Sequence, residues 1–395
     1  MSEPTIRRKF ICFDPTDNHN KVWTIEWWAE TGQAKTTWGR VDVSMQSKSF
    51  TGWSKGDVYR KVYEKEGKGY TEVSLHVPTA APVTTVADPA ITDKRVADLL
   101  DLIFREAGEH IKSYMAVGVD ALSKDQIAKG KAILGRLIAY HQVTNPTLAE
   151  RLAVSEQVKQ FYNTIPTQLP TRIDAATWDW LVSRFISDLH EQEDRLDQLE
   201  AGLAAYQAAS TGQTNYLTQL GDVELKTMEQ SSAAYGTISD YILRTSGGGH
   251  HLTGLFSVHI RPERAAWDTD GVGRHYINPM FHGTRGANVR HILRTGLIIP
   301  KIAANGSRFG RGIYFADMSR RSLNYCSTNH SRAKFLFIAD VALGTMKTLD
   351  GDDSHLTAAP NGFDSVRGVK SYSGMDEFII YRPSQQTIRA IALVE

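Results

Sequence analysis

The chain is poor in cysteine, with only Cys12 and Cys326 among 395 residues. Two thiols so far apart build neither a Cys-rich zinc module nor a disulfide scaffold, and reduced thiols of an intracellular protein are the simplest reading. Neither sign of charge dominates: 45 Lys and Arg face 44 Asp and Glu, which excludes a polybasic nucleic-acid binder while leaving room for a local basic site. No apolar run reaches the roughly 18 residues of a membrane-spanning helix, and Met1 to Arg8 lacks the apolar stretch of a signal peptide. The common nucleotide and metal signatures are missing as well. There is no G-x-x-x-x-G-K-[ST] and no H-E-x-x-H, and Gly271-Val272-Gly273 lacks the third glycine of a dinucleotide fingerprint. His250-His251 follows three glycines without nearby cysteine or carboxylate, and reads as a surface turn.

What is present is unevenly distributed. At roughly 100–200 residues per domain, the length allows two to four domains. Residues 1–78 carry 12 basic against 10 acidic side chains, residues 79–245 carry 15 against 22, and residues 246–395 carry 18 against 12. The stretch 77–90 holds three prolines and little charge, the composition of an extended linker. A second break falls at Ser246-Gly247-Gly248-Gly249, which no helix continues.

The three blocks differ in periodicity. In the first, Phe10–Phe13, Val22–Trp27 and Ala34–Val41 are rich in β-branched and aromatic residues between turn signals, which predicts strands, and Asp57–Glu66 has helical spacing. Five of the eight tryptophans lie here, at 23, 27, 28, 38 and 53, as core material for a small domain. The second block predicts helices. Thr92-Asp93 caps one, Ser123 and Gln126 have capping-box spacing before another, and Pro146 and Asp174 open two more, the last running on through Glu191–Glu200. The third block alternates, with Phe256, Val258 and Ile260 two apart and a continuous apolar run from Phe335 to Leu343. Strands at 378–381 and 388–394 and short helices at 287–294 and 319–326 complete an α+β pattern.

Three short pieces of the third block carry chemistry. Phe281-His282-Gly283-Thr284 sets an imidazole beside a glycine at a strand end. Phe309-Gly310-Arg311-Gly312-Ile313-Tyr314-Phe315-Ala316-Asp317 feeds a glycine-rich turn into a strand, and Asp376-Glu377-Phe378 opens a late strand with acids. Taken singly, each has an ordinary structural explanation. In order with Ser322, Tyr325-Cys326, Val341–Gly344 and Glu377–Tyr381, they resemble the catalytic domain of poly(ADP-ribose) polymerases. Leu99–Ile103 and Phe161-Tyr162-Asn163-Thr164-Ile165-Pro166 resemble that family's helical regulatory domain. Thr37-Trp38-Gly39-Arg40-Val41 and Gly69–Val73 are similar to a WGR domain.

The resemblance implies a multidomain α+β protein: a β-rich WGR domain at 1–77, a linker at 78–90, an all-α regulatory domain at 91–245 and an α+β ADP-ribosyltransferase domain at 246–395. It implies NAD as substrate and no metal. In that family the nicotinamide–ribose bond is cleaved through an oxocarbenium-like state and ADP-ribose passes to an acceptor. The backbone of Gly283 and the hydroxyl of Ser322 would then pair with the nicotinamide carboxamide, and Tyr325 and Tyr314 would flank its ring. His282 would hold an adenosine ribose hydroxyl, Thr284 and Asn288 would add polar contacts there, and Glu377 would bind the nicotinamide ribose and orient the acceptor. Arg321 stands where polymerase relatives usually carry lysine, near the acceptor path.

Other positions depart from the family pattern. Ile298 replaces an arginine and His291 a glycine, the donor loop is shortened to Asn305-Gly306-Ser307-Arg308, and the stretch from Gly344 to Glu377 is short. The His282–Tyr314–Glu377 set implies chain extension, whereas the short stretch leaves chain length and acceptor open.

The resemblance also implies DNA ends or breaks as partner, met by Trp38 and Arg40, with Arg40 reaching towards a helical domain that blocks the NAD site until DNA binds. Removing residues 90–240 is then expected to give DNA-independent activity. Acceptors would be proteins, the chain itself included, and no membrane is implied. The compartment expected is cytoplasm or nucleoid for a bacterial or viral source and nucleus for a eukaryotic one. Two alternatives remain: single-unit transfer to protein or nucleic-acid ends, and a DNA-end scaffold with a vestigial site.

Overall fold

A computed structural model describes residues 3–14, 19–40, 45–73, 91–116, 122–141, 143, 146–170, 173–210, 216–271, 275–301, 307–328, 331–369 and 374–395. The linker expected at 78–90 lies outside them. The chain divides into two compact units, one formed by Met1–Ala81 and Ile111–Tyr206, the other by Pro82–His110 and Gln207–Glu395.

The first unit opens with β1 (Ile6–Asp14), β2 (His19–Trp28), β3 (Gln33–Arg40), β4 (Gln46–Phe50), α1 (Lys55–Glu66) and β5 (Thr71–Val73), the strands forming one sheet in the order β4-β3-β2-β1-β5. Antiparallel register sets Phe10 opposite Trp23 and Trp23 opposite Trp38, so one row of aromatic rings crosses the sheet. Strand alternation puts Ile25, Trp27 and Ala34 on the same face, and α1 covers them with Val58 and Val62. A capping box between Ser54 and Asp57 starts α1 where the periodicity predicts it.

Helices follow: α2 (Lys94–Tyr114), α3 (Lys124–His141), α4 (Leu148–Thr164), α5 (Ala175–Ser187) and α6 (Leu189–Ser210). Reciprocal Ser123–Gln126 bonds start α3, a Thr147–Glu150 box starts α4, and Asp174 caps α5 through the amide of Thr177. The single helix expected from Asp174 to Glu200 is two. Asp188 leaves helical geometry at φ −113° and its carbonyl then accepts from Gln192 to begin α6. Aspartate competes with its own backbone for hydrogen bonds and favours such ends.

The second unit takes the α2 residues up to His110, then α7 (Tyr216–Leu220), β6 (Val223–Thr227), α8 (Ala233–Thr245), β7 (Leu252–Ile260), α9 (Arg261–Ala266), β8 (Ile277–Gly283), α10 (Gly286–Thr295), β9 (Ile313–Phe315) and α11 (Ser319–Leu323). The strands β10 (Lys334–Ala342), β11 (Met346–Leu349), β12 (Ser365–Gly368), β13 (Glu377–Ile380) and β14 (Gln386–Val394) complete it. Two sheets result, β6-β7-β14-β10-β8 and β11-β12-β13-β9.

The continuous apolar run at 335–343 has a direct cause: β10 is covered on both faces. Phe335, Phe337, Ala339 and Val341 enter one buried cluster with Leu99, Leu100 and Ile103 of α2, while Leu336 and Ile338 enter another with Ile242 of α8. The block expected to be purely helical therefore also supplies β6, which pairs with β7, and part of α2 is core for the C-terminal sheet.

Among the described residues no helix is long and apolar enough to cross a membrane. Leu100 is 0% exposed in the cluster beneath β10. Its replacement by alanine is expected to lower unfolding free energy by about 2–5 kcal/mol, read as a shifted denaturant midpoint.

Candidate active site

The two C-terminal sheets meet at one point. Phe281 near the end of β8 exchanges backbone bonds of 2.8 and 3.0 Å with Ala316, just past β9. Strand period two then sets the direction of the Gly283 backbone. Gly283 aims its N–H and C=O the same way as Phe281, along the outer edge of β8 and past the end of β9. An adjacent donor and acceptor on an open strand edge is what a carboxamide pairs with. The neighbour of Gly283 on the other side is backbone: a Cβ there would stand 1.8 Å from the carbonyl oxygen of Ser322. Only glycine lets β8 and α11 approach so closely.

The expected site residues of the C-terminal block assemble around this seam. His282 is half-buried, with Nδ1 2.9 Å from the carbonyl of Tyr314, which fixes the ring against β9. Burial holds its pKa below the ordinary 6.5, so the ring is neutral at pH 7. The Tyr314 hydroxyl donates to the Gly310 carbonyl at 2.8 Å and accepts from the amide of Phe309 at 3.0 Å, and burial raises its pKa. Those two bonds lock the glycine-rich turn onto the strand that carries the ring. Gly310 has a positive φ of 73°, and a Cβ there would also meet the Leu356 carbonyl, so both the backbone and the space require glycine.

Glu377 opens β13, whose pairing puts Ile379 opposite Tyr314. Glu377 is 4% exposed, and its carboxylate bonds the guanidinium of Arg321, a residue 8% exposed, at 2.6 Å. The Tyr325 hydroxyl lies 3.4 Å from the same oxygen, and the Arg321 guanidinium sits 5.0 Å from the Tyr325 ring centroid. Burial and the Glu377 charge both raise the Tyr325 pKa, while the ring stays 50% exposed, open to a stacking ligand. Ser322 donates to the Phe281 carbonyl at 3.0 Å, so its oxygen is left to act as an acceptor.

Thr284 and Asn288 sit beyond this ring of contacts, joined by a 3.4 Å bond where α10 begins. Of the departures from the family pattern, Ile298 is 50% exposed and His291 half-buried on α10. Asn305 and Gly306 lie outside the described residues, whereas Arg308 bonds Asp352 at 2.6 Å. Trp38 and Arg40 belong to the first unit. Trp38 is half-buried against the cluster under α1, and Arg40 closes β3 with its side chain outside the described residues.

Sequence reasoning missed several side chains. The place expected for Arg321, beside the acceptor path, turns out to include a direct bond to Glu377; no local pattern separates Arg321 from its neighbour Arg320. Glu106 of α2 is fully buried and accepts from the amide of Ser331 at 2.7 Å, ahead of β10. Glu263 ties α9 to β14 through the Ile388 amide at 2.7 Å and Gln386 at 2.9 Å, and burial raises its pKa. A buried acid inside an amphipathic helix gives no sequence signal of its partner.

Comparison with known proteins bears on this site. Residues 232–388 match the family model for the poly(ADP-ribose) polymerase catalytic domain. The chain is 25% identical over 340 residues to protein mono-ADP-ribosyltransferase PARP4 of Homo sapiens, covering 81% of this chain and 19% of that protein. Poly [ADP-ribose] polymerase 1 of Gallus gallus is 34% identical over 158 residues, 37% of this chain and 15% of its own length. Poly [ADP-ribose] polymerase 2-B of Oryza sativa subsp. japonica is 24% identical over 358 residues, 84% of this chain and 57% of the relative. The chain thus spans less than two thirds of each of these relatives. The matched region begins before the glycine break at Ser246, as does β6 of the same sheet. Among the described residues no group of three or more His, Cys, Asp or Glu could hold a metal ion.

The half-buried His282 gives a pH signature. Its folded pKa is depressed, so the unfolded chain binds the extra proton first as pH falls. The contribution is complete above the ordinary value of 6.5 and is lost as pH drops below it. The urea midpoint is expected to fall between pH 7.5 and 5.5, and to fall less in His282→Asn.

Proposed function

We propose that the chain is an NAD-dependent protein ADP-ribosyltransferase, stimulated by DNA ends, that modifies itself and other proteins and extends ADP-ribose chains. The observation that carries the reading is the Glu377 carboxylate held by Arg321 and Tyr325 beside the open strand edge of Gly283. The family match at 232–388 supports the same chemistry.

The residues divide the work. Gly283 offers a donor and an acceptor to the nicotinamide carboxamide, with the Ser322 oxygen as a further acceptor, and the exposed Tyr325 ring stacks on the nicotinamide. His282, neutral and fixed by Tyr314, gives its remaining ring nitrogen to a hydroxyl of the adenosine ribose, and Thr284 and Asn288 extend that polar edge. The bond from ribose C1′ to nicotinamide nitrogen breaks, and its electron pair leaves with nicotinamide. Glu377 bonds a hydroxyl of the same ribose and stabilises the positive charge that develops. The acceptor oxygen then bonds C1′, and its proton passes to Glu377 or to water.

In the first unit, Trp38 and Arg40 are the side chains offered to a DNA end. With only 12 basic against 10 acidic residues in 1–78, end stacking plus a few phosphate contacts fits better than broad electrostatic attraction. The acidic middle block would restrain the NAD site, and DNA would release it by binding the open state better. Part of α2 belongs to the core beneath β10, so removing all of 90–240 would remove fold along with restraint.

Single-unit transfer is the second reading. The short stretch between Gly344 and Glu377 favours it, since β11 and β12 take up part of that stretch and leave less of it to bind a growing chain.

Labelled NAD incubated with the protein, with and without a short blunt duplex, tests both readings on a denaturing gel. A DNA-dependent ladder is expected. One discrete shift would mean single-unit transfer, and no label on protein in either condition would overturn the proposal. Glu377→Gln is expected to lose about 10²-fold or more in rate while NAD affinity, measured by calorimetry, changes far less.

A further inference from the structure

Five charged side chains are buried among the described residues: Glu106, Glu263, Arg290, Arg321 and Glu377. Four of them are answered. Arg321 and Glu377 hold each other, Glu106 accepts from the Ser331 amide, and Glu263 accepts from Gln386 and the Ile388 amide. Arg290 of α10, 4% exposed, is the exception. Its one hydrogen bond among the described residues, 3.3 Å long, goes to the neutral amide oxygen of Gln219 in α7. Its guanidinium carbon lies 4.4 Å from the Phe104 ring centroid on α2. The charge that acts on it is of like sign: Arg294, exposed, one turn further along α10. Among the described residues neither arginine has a carboxylate partner.

Burial and Arg294 together bring the Arg290 pKa down to about 10, which leaves the group charged at neutral pH. A full positive charge thus stands between the core positions Val289 and Ile292. One ring contact and one long bond to a neutral amide return less than the desolvation of that charge takes. A position that had only to fill space would carry leucine or methionine at no such cost. Buried charges are ordinarily paired, so this one calls for a counter-charge from outside the chain.

Two guanidinium groups one turn apart suit an oxyanion of charge near −2, and the arginine fork binds phosphate oxygens in pairs. Gln219 is half-buried, so its amide can swing aside and yield its place to a phosphate oxygen. Asn288, on the edge offered to NAD, precedes Arg290 by two residues and so stands roughly 200° away around the helix. We propose that Arg290, with Arg294 and Gln219, forms a phosphate-binding site on the side of α10 away from that edge, taking inorganic phosphate or the phosphate of a nucleotide. Phe104 is half-buried and backed by Tyr216 at 4.5 Å, which leaves a ring edge for a nucleotide base that free phosphate would not use. The transferase reading is not needed for this site.

Titration calorimetry on the full chain tests it, with inorganic phosphate and uridine monophosphate as probes at constant ionic strength. One phosphate per chain is expected to bind. Arg290→Met keeps most of the volume and removes the charge, and should weaken phosphate binding about tenfold or more. Arg294→Gln, an exposed change, should weaken it about threefold, as for a single charge at the surface. In phosphate-free buffer the urea midpoint of Arg290→Met should equal or exceed that of the wild type, while the increase that phosphate gives the wild type should vanish. Tighter binding of uridine monophosphate than of phosphate, lost in Arg290→Met, would make the ligand a nucleotide; equal binding would make it free phosphate. No binding to the wild type, or affinity unchanged in both variants, would overturn the site, and Arg294→Gln decides alone should Arg290→Met not fold. A lowered phosphate-free midpoint in a folded Arg290→Met would overturn the argument from the unpaired charge.

Discussion

The candidate site depends on one buried ion pair, Arg321 with Glu377, held where two sheets meet. Taking both charges out of water costs several kcal/mol per ion, and such pairs seldom add net stability. What this pair supplies is position. Glu377 comes from β13 and Arg321 from α11, so their bond holds the first strand residue of one sheet against the helix that packs on the end of the other. The Phe281–Ala316 bridge and the contact of Gly283 with Ser322 set the distance at which the two can meet. Tyr325 adds its hydroxyl to the same carboxylate and leaves its ring to solvent. Polar ends thus fix the site, and apolar faces and a strand edge are left for a flat ligand.

Behind this seam the fold is organised around β10. A strand covered on both faces needs two sets of partners, and these come from far apart in the chain: leucines and an isoleucine of α2 on one side, α8 on the other. The helical middle of the chain therefore does not form one separate body. Its beginning and end are core for the C-terminal sheet, while α3 to α5 pack in the first unit with the N-terminal domain. Buried polar groups follow the same division. Glu106 serves the loop before β10, and Asn163 serves the end of β1.

Much of the local structure was legible in the sequence, because it depends on neighbours a few residues away. Capping residues at 123 and 174 mark helix starts in the structure, and period-two spacing in β7 and the doubly buried run of β10 mark strands. The break at Asp188 was not legible, since the flanking segments both have helical spacing and only the backbone of one residue differs. Nor was β6, a five-residue strand that exists because β7 offers it an edge.

The candidate site shows the same limit. The order of His282, Tyr314, Tyr325 and Glu377 was readable as a motif, and the structure brings all four to one seam. Which groups they bond was not readable: that Arg321 holds Glu377, that the Ser322 proton goes to Phe281, and that Gly283 must lack a side chain because of the Ser322 carbonyl. Periodicity, capping and local composition were enough to determine the elements and the identities of the chemical groups. Their partners were set by packing alone, because hydrogen bonds and ion pairs between residues 41, 56 or 150 positions apart depend on how sheets and helices come together.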